Sequence, residues 1–144
     1  MRTYVLFVLV LFPSALLGQS INDRYKKFIN QHVNQGMSRT RCDAVMRSRK
    51  ITVTNSTQCK GTNTFISAGA KEIKKVCNAA GKPYKNSHNL RVSNQPFPIV
   101  ICKQKGNHRY PKCEYRGRSA TRYIVIGCKD GFPVHFERDV RDLS

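Results

Sequence analysis

The chain opens on an unbroken apolar run, Tyr4 to Phe12, after which apolar residues recur first at helical and then at strand spacing. Tyr25, Phe28, Ile29 and Val33 form one helical stripe, and Asn22 or Asp23 is placed to cap a helix running to about Asn34. His32 falls on this stripe, so it is expected where the helix meets the core. A second helix is predicted from Arg41 to about Arg49, with Cys42, Val45 and Met46 inward. A third covers residues 70–80, turning Ile73, Val76 and Cys77 inward and Lys71, Lys74 and Lys75 outward. The remainder is short β-rich runs at residues 59–65, 90–93, 98–103, 113–118, 123–128 and 134–137. Turn chemistry separates these at Ala80-Gly81-Lys82-Pro83, Gly106-Asn107-His108, Arg116-Gly117 and Asp130-Gly131. Early helices followed by antiparallel strands describe an α+β domain. The 144 residues suffice for one such domain, and no internal repeat, low-complexity segment or linker divides them.

The opening run changes this picture, because it does not belong to the domain. Met1-Arg2-Thr3 is a short basic start, and Pro13-Ser14-Ala15-Leu16-Leu17-Gly18 supplies small residues after the apolar stretch. The run is shorter than the roughly 20 residues that span a bilayer and reads as a secretory signal. Residues 1–18 are therefore expected to be a signal peptide, with cleavage as late as residue 20, and 19–144 the mature domain. In a small secreted chain, six cysteines at 42, 59, 77, 102, 113 and 128 imply three disulfides, whose pairing spacing alone leaves open. No Cys-x-x-Cys pair is present, so a zinc site is not expected and no metal or cofactor is assigned. Asn55-Ser56-Thr57 is a glycosylation sequon on a predicted loop.

Charge narrows the class of partner. Lysine and arginine number 26 against 8 acidic residues, a formal net charge of +18, or +17 once Arg2 leaves with the signal. Such a surface attracts polyanions, whether RNA, heparan sulfate or anionic bacterial surfaces.

Candidate chemistry lies in Cys59-Lys60-Gly61-Thr62-Asn63-Thr64-Phe65, preceded by Gln31-His32-Val33 and followed near the C-terminus by Pro133-Val134-His135-Phe136. Two histidines and a lysine suffice to move a phosphoryl group without a metal. One histidine takes a proton, the other gives one, and the lysine stabilises the charge that builds on phosphorus. Together with the six-cysteine ladder, this stretch resembles the pancreatic-type ribonuclease (ribonuclease A) superfamily, whose signature is C-K-x-x-N-T-F. The resemblance covers nearly the whole mature chain, from Arg24-Tyr25 to Val134-His135-Phe136. It leans to the angiogenin-like branch through the six cysteines, the six residues between Cys128 and His135, Asn89-Leu90-Arg91-Val92-Ser93 and Cys113-Glu114-Tyr115-Arg116.

The resemblance implies three short helices packed on a curved antiparallel sheet, with disulfides Cys42–Cys102, Cys59–Cys113 and Cys77–Cys128. Each would stabilise the fold by roughly 4 kcal/mol in the chain-entropy model. It favours Gln19 as the mature start. It places His32 as general base, His135 as general acid and Lys60 as the charge-stabilising lysine. Gln31 and the backbone N–H of Phe136 would contact phosphate, Asn63 would position, and Thr64 would read pyrimidines. Glu137 stands where aspartate is usual, one methylene longer, which leaves its reach to His135 open. Arg47, Arg49 and Lys50 lie where angiogenin carries a nuclear-targeting segment; a solvated helix end is the plainer reading. Angiogenins are weak nucleases because a C-terminal glutamine obstructs the pyrimidine site; Arg138 stands three residues after His135, and sequence leaves obstruction open. His88 and His108 match no catalytic position and read as surface-loop residues.

The function implied is a secreted, metal-independent endoribonuclease cutting 3′ of pyrimidines through a 2′,3′-cyclic phosphate. Angiogenin-like or host-defence roles, uptake and nuclear or nucleolar delivery follow from the same resemblance. So do a monomeric state and recognition by a ribonuclease inhibitor or a cell receptor. The alternative is a cationic antimicrobial or heparin-binding protein that acts without cutting RNA.

Overall fold

A computed structural model describes residues 20–87 and 89–143. The expected signal peptide and His88 lie outside the described residues. Helix α1, Ile21–His32, is capped by Ser20, whose hydroxyl accepts the Asp23 N–H at 3.1 Å. The cap is thus earlier than Asn22 or Asp23, and Asp23 instead places its charge in the first turn, where the helix dipole favours it. The helix stops short of Asn34 because Val33 turns extended and bridges Ile66 in parallel. Helix α2, Cys42–Ser48, follows a 3-10 turn at Arg39–Arg41.

Helix α3, Ala70–Lys74, passes into a 3-10 turn, Lys75–Cys77, and does not reach residue 80. Arg91 accounts for the stop. Its guanidinium donates to the carbonyls of Val76, Asn78 and Gly81 at 2.9, 2.8 and 2.7 Å, and the first of these is the carbonyl a helix reaching residue 80 would need for itself.

Six strands form one antiparallel sheet: β1 Thr62–Ile66, β2 Gly81–Pro83, β3 Leu90–Ser93, β4 Phe97–Lys105, β5 Glu114–Lys129 and β6 Phe132–Val140. The order is β1-β4-β5-β3-β2, with β6 also on β5. The architecture is the expected one, three short helices on a curved antiparallel sheet. Two turns expected from sequence are not turns. Gly117 lies inside β5 opposite Cys102, so the two runs expected at 113–118 and 123–128 are one strand. A Cβ at Gly117 would sit 2.1 Å from the Arg39 carbonyl oxygen; glycine is there so that the 3-10 turn can cross the strand. Gly81 to Pro83 likewise pair with residues 91–93. Asp130 and Gly131 do turn, both at positive φ, and close the β5–β6 hairpin.

The disulfides are Cys42–Cys102, Cys59–Cys113 and Cys77–Cys128. Apolar packing falls into two clusters. One joins Phe28 and Val33 of α1 to Ile66, Ile73, Ile124 and Ile126. The other joins Val45 and Met46 of α2 to Phe65 and Val100. Adjacent residues Phe65 and Ile66 serve opposite clusters, so β1 is buried on both faces and clamped between them. That rigidity matters because β1 carries Asn63 and Thr64. Asn55 lies on an exposed turn. Among the described residues no helix is long and apolar enough to cross a membrane.

Candidate active site

Three elements converge on one cleft of about 440 Å³. Helix α1 brings Gln31 and His32, β1 and the segment just ahead of it bring Lys60, Asn63 and Thr64, and β6 brings His135, Phe136 and Glu137.

His32 is 9% exposed, and its Nδ1 is 2.8 Å from the Thr64 carbonyl oxygen. A carbonyl only accepts, so Nδ1 carries the proton and neutral His32 keeps a lone pair on Nε2. The ring stacks on Phe136 with centroids 5.2 Å apart, and Phe28 flanks it at 5.5 Å. Burial pushes the His32 pKa down to about 4; the bond to Thr64 opposes this, while the charges of Lys60 and His135 add to it. The residue is built to stay neutral.

Lys60 is held from two sides. Its Nζ donates to Asn63 Oδ1 at 2.8 Å, and its carbonyl accepts the Tyr115 hydroxyl at 2.7 Å. Asn63, only 2% exposed, donates through Nδ2 to the Gln31 carbonyl at 2.8 Å. This buried amide therefore ties the lysine to the last turn of α1. Asp43 completes the brace by accepting the Tyr115 N–H at 2.7 Å. Partial burial, and then the charge of Lys27, hold Lys60 below the ordinary lysine pKa.

His135 is exposed, and its Nε2 is 2.9 Å from Glu137 Oε1. The longer side chain does reach, through a bulge: Ile126 pairs with Phe136 and Val125 with Arg138, leaving Glu137 as the extra residue. A carboxylate accepts, so Nε2 carries a proton and Nδ1 is left for another partner.

All the residues assigned to catalysis and substrate binding thus meet in one cleft. The basic cluster does not behave as a unit. Arg47 and Lys50 are exposed, whereas Arg49 is half-buried and donates to the carbonyls of Ile29, Asn30 and Val33 at 3.3, 2.9 and 2.6 Å. Its guanidinium also lies 5.9 Å from the centroid of the Phe65 ring. Arg49 satisfies the last carbonyls of α1 and so helps fix His32. Sequence reasoning did not find that role, nor those of Tyr115 and Asp43, because all three act through backbone groups that no motif displays. Arg138 is exposed, and neither it nor Asp139 hydrogen-bonds Thr64. His108 is exposed and sits 3.7 Å from Glu114.

A model of the pancreatic ribonuclease family matches residues 23–137. Angiogenin-4 of Mus musculus is 41% identical over 137 residues, covering 93% of this chain and 88% of that protein. Ribonuclease-like 3 of Danio rerio is 36% identical over 141 residues, covering 96% and 95%. Among solved structures, zebrafish RNase5 superposes with a TM-score of 0.77 at 50% identity, covering 81% of this chain and 94% of that one.

Proposed function

The chain belongs to the pancreatic ribonuclease family, on its angiogenin-like side, and from that premise we propose that it cleaves RNA 3′ of pyrimidines by metal-free transphosphorylation. His32 Nε2 takes the proton of the ribose 2′-hydroxyl, whose oxygen attacks phosphorus. The bond from phosphorus to the 5′-oxygen breaks as His135 protonates that oxygen through Nδ1, and a 2′,3′-cyclic phosphate remains. Water then opens the ring with the two histidines exchanging roles. Lys60, Gln31 and the Phe136 N–H stabilise the phosphoryl oxygens, and Thr64 holds the base. The observation that supports this most is the unprotonated Nε2 of a buried, low-pKa histidine in the same cleft as Lys60 and His135.

The expected result is cleavage of a pyrimidine dinucleotide that survives chelator, yields the cyclic phosphate, and fails when the 2′-hydroxyl is replaced by hydrogen. Cleavage of the deoxy substrate, or its loss on chelation, would overturn the mechanism. The chain is proposed to act outside the cell after removal of the signal. Any nuclear-targeting role falls to Arg47 and Lys50, since Arg49 is engaged by α1.

A second, charge-driven role has an observation of its own. Lys103 and Arg116 stand directly opposite each other across the β4–β5 ladder, both exposed. Like charges so placed repel, and a bound polyanion relieves them. Binding to anionic bacterial surfaces or heparan sulfate is therefore expected to persist in His32→Ala and to weaken with salt. Salt-independent binding would count against it.

A further inference from the structure

The bulge at Glu137 decides which tail residue shares the face of Phe136. In an unbroken strand, alternation from Phe136 would put Arg138 on the Phe136 face. With Glu137 inserted, Arg138 pairs with Val125 and Asp139 with Ile124, so Asp139 shares the face of Phe136. Asp139 lines the cleft with Thr64, as does Arg138, but only Asp139 does so from the Phe136 face. Its Oδ2 is 3.5 Å from Arg122 Nε, and both side chains are largely shielded, at 27% and 19% exposure. Arg122 and Ile124 lie two residues apart on β5, so the arginine holds the carboxylate from the sheet side.

We propose that Asp139 makes the site select cytidine over uridine at the nucleotide whose 3′-phosphate is cut. The proposal rests on the reading that Thr64 holds the base. A threonine hydroxyl rotates to donate or to accept, and so it serves both pyrimidines. Discrimination needs a neighbour of fixed polarity. An ionised carboxylate only accepts. Cytosine offers it the N4 amine as donor, whereas uracil presents the O4 acceptor at the same ring position. A charge-assisted hydrogen bond gained in one case and a repulsion met in the other favour cytidine by about tenfold or more.

The test compares kcat/KM on cytidylyl-3′,5′-adenosine and uridylyl-3′,5′-adenosine for wild type, Asp139→Asn and Asp139→Ser. Wild type should prefer the cytidine substrate by about tenfold. Asp139→Asn, whose amide turns either way, should bring the ratio near one by losing rate on cytidine and gaining it on uridine. A wild-type ratio near one, or a ratio unmoved in both variants, would overturn the proposal. Should neither variant fold, the wild-type affinities for cytidine and uridine 3′-phosphates decide: tighter cytidine binding supports it and equal binding overturns it. Failure of wild type to cut either dinucleotide would strike the underlying reading of the site, a distinct result from cleavage of both at equal rates.

Discussion

His32→Ala is expected to lower RNA cleavage by about 10³- to 10⁴-fold, the upper part of what one proton-transfer residue contributes. Nothing in the cleft can replace it. Its Nε2 is the unprotonated nitrogen of a ring fixed by Thr64, Phe28 and Phe136, and His135 is committed through Nε2 to Glu137. The pH profile of the wild-type enzyme carries an independent signature. A general base works only when neutral, and burial lowers the pKa of His32 from 6.5 to about 4. Its active form therefore persists further into acid than an exposed histidine would allow. The acid limb of kcat/KM, which reports the free enzyme, should fall near pH 4 to 5 and not near 6.5. Initial rates on a dinucleotide across the acid range measure this. An acid limb at the ordinary histidine pKa would mean that solvent reaches the ring, contrary to its 9% exposure. Near-wild-type turnover in His32→Ala would remove the mechanism altogether.

Such a site is legible in sequence as far as local pattern and family signature extend. The helical stripe places His32 at the junction of α1 and the core, and Ala70-Lys71-Glu72-Ile73-Lys74 shows the start of α3 by the same logic. Where sequence misleads, a distant part of the chain is responsible. Arg116-Gly117 has the chemistry of a turn, yet Gly117 lies mid-strand because the Arg39 carbonyl crosses over it. Residues 75–80 have a helical pattern, yet Arg91, from β3, takes the Val76 carbonyl that a helix to residue 80 would use and holds those of Asn78 and Gly81 beside it. Arg49 resembles any other exposed charge until its three carbonyl partners are seen. The tail turns on a single inserted residue. Strict alternation puts Arg138 on the face of Phe136, and only the register of β6 against β5 shows that Asp139 takes that place. Arg138, which the sequence leaves open as an obstruction, lines the same cleft as Thr64 from the other face of β6.

Lys60→Ala should cost about 10²- to 10³-fold in cleavage, and the loss should fall on kcat. A lysine that merely attracted RNA would be one cation among 26 basic residues, and its removal would raise KM slightly. Lys60 differs in being braced. Asn63 holds its ammonium, Tyr115 holds its carbonyl, and the Cys59–Cys113 disulfide anchors the residue before it. Part of the ordering cost is therefore met during folding, and the partly desolvated charge acts in a medium where it counts for more than in water. Asn63→Ala should reproduce a fraction of the loss by releasing the lysine and the Gln31 carbonyl together. Because the two residues then act as one unit, the Lys60→Ala/Asn63→Ala double variant should be little worse than Lys60→Ala alone. Strict additivity would show that Asn63 supports the cleft independently of the lysine. A change confined to KM would return Lys60 to the general cationic surface.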